Sequence, residues 1–327
     1  MRLKGPVRPL RSTGNPVNVA WTSRRSCAAV PTAAYEAGFA ISCEAARARL
    51  RMSVSLDCLN DRYDVGKSSQ NCISTGEPDR RMSTKTDLEK GLINRVVSAL
   101  QEDRFLLHAQ TIAPLASHPS TLFQEIFVRY RDEDENLMPP GSFLYILEEH
   151  KLLAYLDRWV VNRLARWSRD MLKADPDWKV PRCNVNLATD TIVDEKFGEY
   201  VRQHILRSPL SQGAIGFEVD WESAVAYQEA LRRLITELRP LGCFFTLADF
   251  DGSDQSFQML KSFAPHFVKI SSATLDRTRL SEINRRCRLL ECKTIVEYVE
   301  SVDLLDELRR ANTDFAQGFA ISQVEPL

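Results

Sequence analysis

The sequence lacks the features that mark a membrane protein or a polyanion binder. It contains no run of eighteen apolar residues, so a membrane-spanning segment is not expected. Its 43 Lys and Arg residues are balanced by 44 Asp and Glu residues, which leaves a net charge of -1. This balance argues against binding a nucleic-acid polymer through bulk charge. An anionic ligand would therefore have to meet a local group of cations.

Thiolate and imidazole metal sites are also not indicated. None of the eight cysteines belongs to a C-x-x-C pair, and the five histidines have no ligand spacing. Cys183, Cys243 and Cys292 each begin an apolar stretch, where a buried thiol behaves as a small hydrophobic group. We therefore expect free thiols and a reducing, cytoplasmic compartment.

The first 85 residues carry no sustained hydrophobic period, and several Arg and Lys residues precede the first acid, Glu36. The apolar core of a secretory signal is absent. We predict that residues 1–85 are a disordered leader, or that translation truly begins at Met82. One folded domain is predicted at residues 86–327, beginning with a capping box at Thr86 and Glu89.

Short apolar runs alternate with amphipathic ones throughout this domain. Eight runs are predicted as strands, beginning at Phe105, Phe123, Arg182, Ala214, Cys243, Phe267, Lys293 and Asp314. Strand–helix alternation over about 240 residues indicates an α/β protein with a modified TIM-type (β/α)8 barrel. The first two strands have no helix between them, so this part is expected to depart from the regular pattern.

Each predicted strand carries or directly precedes a polar residue, although buried barrel strands are normally apolar. Barrel enzymes build their sites from the C-terminal ends of the strands, so we expect these side chains to meet at one mouth. They are Gln110, Glu125, Asn186, Glu218, Asp249, Lys269, Glu297 and Gln317.

The chemistry of this set suggests a reaction class. Carboxylate and amide oxygens without thiolate or imidazole suit Mg²⁺ or Mn²⁺. Lys269 could hold or deprotonate a water or pair with a phosphate, and Arg129 offers a planar fork that suits a phosphate. Carboxylates, a divalent cation and cationic side chains together indicate phosphodiester chemistry.

At this point the motifs resemble the EAL-domain phosphodiesterases, which open cyclic di-GMP to a linear dinucleotide. EIFVR at Glu125–Arg129 keeps the glutamate and arginine of the family's signature motif. NVNL, FEV, ADF, VKI, TIVEYVE and AQGF follow in the family's order, and the resemblance covers about residues 86–327.

The resemblance implies roles for the polar set. The metal ligands would be Glu125, Asn186, Glu218 and Asp249. Glu297 would complete the metal and water shell, and Lys269 would position or activate the attacking water. The cyclic dinucleotide would be contacted by Gln110, Arg129 and Gln317.

Departures from the family's pattern surround the implied metal site. The family has two aspartates where this chain has Ala248 and Asp249, and the first of them is a principal metal ligand. Ser271 replaces another aspartate, and Asp251 stands where the family prefers glycine, which tolerates unusual backbone angles. A methyl group cannot coordinate Mg²⁺, so the chain is interpreted as a degenerate member.

Three functions are compatible with this pattern. The favoured one is a protein that binds cyclic di-GMP, or regulates a protein partner, with little or no turnover. A second is a slow Mg²⁺- or Mn²⁺-dependent, cyclic di-GMP-specific phosphodiesterase that produces linear pGpG. The third is a ligand-independent protein-interaction module, since a fold alone proves no chemistry. Mg²⁺ or Mn²⁺ is expected as a cofactor only if the chain retains activity or metal binding.

Overall fold

The computed structural model describes residues 91, 93–100, 102, 104–116, 122–210, 213–274 and 276–327. The predicted leader at residues 1–85 and the capping box at Thr86 and Glu89 lie outside the described residues. The predicted start of the folded domain at residue 86 lies outside them too.

Eight strands form a closed barrel, which confirms the predicted fold class. They are β1 (Phe105–Pro114), β2 (Phe123–Arg131), β4 (Arg182–Asn186), β5 (Ile215–Asp220), β6 (Phe244–Ala248), β7 (Phe267–Ser271), β8 (Lys293–Glu297) and β9 (Phe315–Gln317). Two short strands that the pattern did not predict, β3 (Leu137–Met138) and β10 (Glu325–Pro326), pair with β2 and β1. Pairing of β1 with both β2 and β9 closes the ring.

The first strand is reversed relative to the others in the ring. β1 is antiparallel to β2 and to β9, whereas β2 and β4–β9 pair in parallel. The segment between Pro114 and Phe123 is too short for the crossover that parallel neighbours require. The predicted departure at the first two strands is therefore confirmed.

Helices alternate with the parallel strands. They are α1 (residues 93–100), α2 (Leu144–Glu149), α3 (Leu153–Ala174), α4 (Thr189–Val193), α5 (Phe197–Ile205), α6 (Trp221–Ala226), α7 (Gln228–Leu238), α8 (Asp254–Phe263), α9 (Arg277–Leu289) and α10 (Val302–Arg310). Among the described residues, Pro140–Ser142, Arg239–Leu241 and Ser272–Thr274 form 3-10 turns. No helix among the described residues is long and apolar enough to cross a membrane.

Apolar residues recur at helical spacing on α7 and on α10. On α7 the spacing predicts one shared face, and all of its residues, Leu231, Leu234, Ile235 and Leu238, are buried. The chain leaves that helix through Pro240 and Gly242, whose φ is 82°. The same spacing predicts that Val302, Leu305 and Leu308 share one face of α10, and this prediction was wrong at Val302, which is 68% exposed. Leu308 is buried, and Leu304 and Leu305 pack half-buried against the core.

The cysteines of the described region are free, buried thiols. Cys183, Cys243, Cys287 and Cys292 form no disulfide. Burial raises the pKa of Cys183 and of Cys243 to about 12, so both thiols stay protonated near neutral pH. Their interpretation as small hydrophobic groups is confirmed.

An aromatic layer fills the barrel interior where the parallel strands begin. Phe123, Phe244 and Phe267 pack there with Ile112 and Ile295. The Phe123 ring lies 5.1 Å from the Phe267 ring and 5.6 Å from the Phe244 ring, between ring centroids. This aromatic floor leaves the polar residues above it, towards the C-terminal ends of the strands.

We predict that Phe123→Ala lowers the free energy of unfolding by about 3–5 kcal/mol, because it opens a cavity between rings that cannot collapse inside a closed sheet. Urea denaturation followed by circular dichroism measures the change. Leu289→Ala is the control, since Leu289 is 72% exposed and its truncation should cost less than about 0.5 kcal/mol. Equal effects of the two variants would contradict the packing role of the floor.

Candidate functional site

Alternation along the strands decides which side chains enter the barrel. Cys183 and Val185 of β4 pack outward in the large hydrophobic core, so Asn184 and Asn186 point inward. On β6, Phe245 and Leu247 pack outward, which turns Phe244, Thr246 and Ala248 inward. The polar residues of the predicted mouth therefore lie directly above the aromatic floor.

The centre of this mouth is the ammonium group of Lys269. Its Nζ forms an ion pair with Glu125, lies 2.8 Å from Oε2 of Glu218 and lies 3.7 Å from Oε2 of Glu297. Lys269 is fully buried, and the three glutamates are almost so. The structure thus brings four of the predicted site residues together, with three glutamates around the ammonium group of Lys269.

Amide side chains complete the surroundings of Glu125. Asn186 donates through Nδ2 to Oε1 of Glu125 over 2.6 Å, and Gln317 donates through Nε2 to Oε2 over 2.8 Å. Gln317 also donates to Oε1 of Gln110 over 3.1 Å, and Gln110 donates to the backbone oxygen of Ser322 over 2.9 Å. Gln110, Asn186 and Gln317 therefore join the same cluster, whereas no sequence pattern indicated the Ser322 contact.

A second set of hydrogen bonds supports Glu218. Thr246 donates through Oγ1 to Oδ1 of Asn184 over 3.0 Å, and Asn184 donates through Nδ2 to Oε2 of Glu218 over 2.6 Å. Sequence reasoning missed both residues as members of the site. The available signal was their spacing, since each lies two residues before a position of the implied metal site and so on the same face of its strand.

Ala248 and Asp249 occupy very different positions. Ala248 is fully buried at the inward-facing end of β6, in register with Asp220 of β5. Asp249 is exposed and has a φ of 56°, so the chain turns away from the strand at this residue. Asp249 is thus separated in burial from the other predicted ligands, and its role as a ligand stays a prediction.

The loop after β6 does not require a glycine at position 251. The positive φ angles fall on Asp249 and on Gly252, at 56° and 69°. Asp251 accepts the backbone N–H of Ser253 over 2.9 Å, and Arg279 of α9 donates to the Asp251 backbone oxygen over 2.6 Å. The expected strain at Asp251 is therefore avoided, because the positive φ falls on the next residue, Gly252.

Arg129 provides a half-buried cation near the mouth. It lies 5.8 Å above the Phe127 ring and donates to the backbone oxygen of Val128 over 3.0 Å. Burial lowers the pKa of Arg129, and burial together with Arg129 lowers the pKa of His108. His108 is therefore neutral near neutral pH, and Arg129 is the positively charged member of the pair.

The donor chemistry of the mouth fits a hard divalent cation in part. Oδ1 of Asn186 is buried without a hydrogen-bond partner among the described residues, and one ammonium faces three carboxylates, so negative charge is in excess. In the part of the chain that the structure describes, however, no three His, Cys, Asp or Glu side chains are arranged to hold a metal. The glutamates converge on Lys269, and Ala248 contributes no oxygen.

A parallel barrel with one reversed strand and a buried glutamate–lysine mouth defines a narrow class of α/β barrels. The EAL domain family matches residues 93–324. The chain belongs to the EAL domain family.

Curated relatives are longer than this chain. The cyclic di-GMP phosphodiesterase PdeB of Shewanella oneidensis is 23% identical over 259 residues, which cover 77% of this chain and 30% of PdeB. The cyclic di-GMP phosphodiesterase PdeF of Escherichia coli is 25% identical over 246 residues, which cover 72% of this chain and 32% of PdeF. The chain thus spans about a third of the length of these relatives.

Solved structures share the fold. The EAL domain of FimX from Xanthomonas citri, in complex with c-di-GMP, has a TM-score of 0.69 at 22% identity and covers 75% of this chain and 97% of its own. The EAL domain of FimX from Pseudomonas aeruginosa, bound to c-di-GMP, has a TM-score of 0.65 at 21% identity and covers 72% and 96%. At these identities the likeness establishes the fold.

We predict that Lys269→Met lowers the free energy of unfolding by about 3–5 kcal/mol, because it leaves buried carboxylates without the ammonium they face. Denaturant unfolding at pH 7 measures the loss. The control is Arg285→Met, which breaks an exposed ion pair with Glu282 and should cost less than about 1 kcal/mol. A Lys269 variant as stable as the Arg285 variant would refute a central role for the buried ammonium.

Proposed function

We propose that this chain is a cyclic di-GMP-binding EAL domain with little or no turnover. The observation that carries the proposal is the methyl group of Ala248 at the buried, inward-facing end of β6. The family resemblance implies a principal metal ligand at this position. Because a methyl group offers no oxygen, one donor of the implied metal site is missing, whereas the residues implied to contact the dinucleotide remain.

The relatives and the side chains around the mouth support this choice of ligand. PdeB and PdeF are cyclic di-GMP phosphodiesterases, and both FimX structures contain c-di-GMP. Arg129 offers a fork of N–H donors that suits a phosphate. Phe127 beside it, and the exposed rings of Tyr298 and Phe319 just beyond β8 and β9, offer faces on which bases can stack.

A divalent cation would be held by a reduced set of residues. Glu125, Asn186 and Glu218 would supply its oxygens, with Glu297 nearby and the exposed Asp249 at the loop after β6. Such a cation supplies polarisation of a phosphoryl oxygen and a lowered pKa of water. Lys269 would hold a water beside these carboxylates by donating a hydrogen bond from its ammonium group. Mg²⁺ or Mn²⁺ suits this oxygen set.

A slow phosphodiesterase that produces linear pGpG is the second candidate. It is supported by the intact contact between Lys269 and the three glutamates, which keeps an ammonium group and carboxylates together at the mouth. Buried ion pairs of this kind are not generally stabilising relative to apolar packing.

We extend the proposal to location and partners. The free thiols of the described cysteines support a cytoplasmic location. A binding domain with little turnover transmits its ligand state through a regulatory protein partner or through other domains, as the greater length of the relatives suggests.

We predict that the chain binds cyclic di-GMP in the presence of EDTA, and that Arg129→Ala weakens binding about ten- to a hundredfold by removing a charged hydrogen-bond donor to phosphate. Isothermal titration calorimetry measures both affinities. Arg131→Ala is the matched control, because Arg131 lies two residues further on β2 and pairs with Glu135. Absence of binding at high micromolar ligand would favour the protein-interaction module.

We predict that Ala248→Asp raises Mn²⁺-dependent production of linear pGpG by about 100-fold or more, because it restores a charged oxygen donor. Chromatography of the products after timed incubation measures the rate. Ala248→Asn supplies an uncharged oxygen and should give a smaller increase. If neither variant exceeds the unsubstituted chain while both remain folded, other changes in the mouth limit the reaction.

A further inference from the structure

We propose that Asn184 and Thr246 are positioning residues that hold Glu218 in the orientation needed to bind a divalent cation. The inference rests on the part of the proposed function that assigns Glu218 to a cation site. It adds two residues for which the family resemblance implied no role.

The three side chains form a continuous buried relay. The Thr246 hydroxyl donates to the Asn184 carbonyl oxygen, and the Asn184 amide donates to Oε2 of Glu218, over 3.0 Å and 2.6 Å. Lys269 approaches the same Oε2 atom, at 2.8 Å. Two donors that converge on one carboxylate oxygen restrict rotation of the carboxylate about its last bond.

The relay reaches across three strands, and a glycine on the middle strand leaves room for it. Asn184 lies on β4 and Thr246 on β6, so their hydrogen bond crosses the interior face of β5. Gly216 of β5 is in register with Asn184 of β4 and with Phe244 of β6. A Cβ atom at Gly216 would lie 2.0 Å from the Phe244 ring, so a larger residue is excluded where the relay passes.

A second buried asparagine shows what a purely structural amide looks like in this protein. Asn284 of α9 donates to the backbone oxygen of Ala311 over 2.9 Å and to the Thr313 hydroxyl over 3.0 Å. Its partners lie in the loop before β9, and none is a carboxylate. Asn184 has the same chemistry and burial, but it is directed at a glutamate of the mouth.

The effect of the relay on a cation follows from the role of hydrogen bonds to ligating carboxylates. Such partners fix the ligand before the cation arrives, and their loss typically lowers metal affinity about 10–100-fold. The hydroxyl of Thr246 is one hydrogen bond further from Glu218 and acts on it through Asn184. Its removal should therefore have a smaller effect that depends on Asn184.

The test is a titration of the full chain with Mn²⁺ alone, followed by electron paramagnetic resonance of the free ion. We expect Asn184→Ala to weaken Mn²⁺ binding about 10–100-fold. Thr246→Val should weaken it less, and Thr246→Ser, which keeps the hydroxyl, should match the unsubstituted chain. The double variant should bind as Asn184→Ala alone does, because both substitutions break one relay.

Asn284→Ala is the matched control and should leave Mn²⁺ affinity unchanged while lowering thermal stability. The inference is overturned if the unsubstituted chain binds no Mn²⁺, if Asn184→Ala keeps full affinity, or if Asn284→Ala loses as much. A parallel titration with cyclic di-GMP in EDTA separates the two proposals. Absence of dinucleotide binding together with the expected Mn²⁺ pattern would refute the proposed function and support the relay.

Discussion

The buried contact of one ammonium with three carboxylates is the constraint on which the interior of this barrel depends. Charges removed from water are stable only with partners of opposite sign and further hydrogen bonds. Lys269 supplies the charge, while Asn186, Gln317 and Asn184 supply hydrogen bonds to Glu125 and Glu218. The polar residues of the mouth are therefore parts of one network rather than independent substitutions in an apolar core.

Residue types and their spacing were sufficient to predict the barrel and most of this network. Apolar runs identified the eight strands of the ring. The polar residues carried by seven of these strands were correctly expected to be neighbours, and they are Gln110, Glu125, Asn186, Glu218, Lys269, Glu297 and Gln317. Period-two alternation supplies this information, because it separates the core-facing from the mouth-facing residues of a strand. The roles of these residues toward metal and dinucleotide remain predictions.

Other features depend on geometry that no local pattern encodes. Asp249 follows its strand directly, yet a positive φ at this residue turns the chain and leaves the side chain exposed. Asn184 and Thr246 interact across an intervening strand, which is visible only once the register of β4, β5 and β6 is known. The two-residue strands β3 and β10 are too short to produce a recognisable alternation.

The reversed first strand also has a consequence for how the molecule folds. β1 completes the ring by pairing with β9, and Gln110 and Glu125 reach Gln317 about 200 positions away along the chain. Contacts between such distant segments form slowly, because a long loop must close before they are gained. Assembly of the mouth thus coincides with ring closure, and a nascent chain that ends before β9 lacks one wall of the mouth.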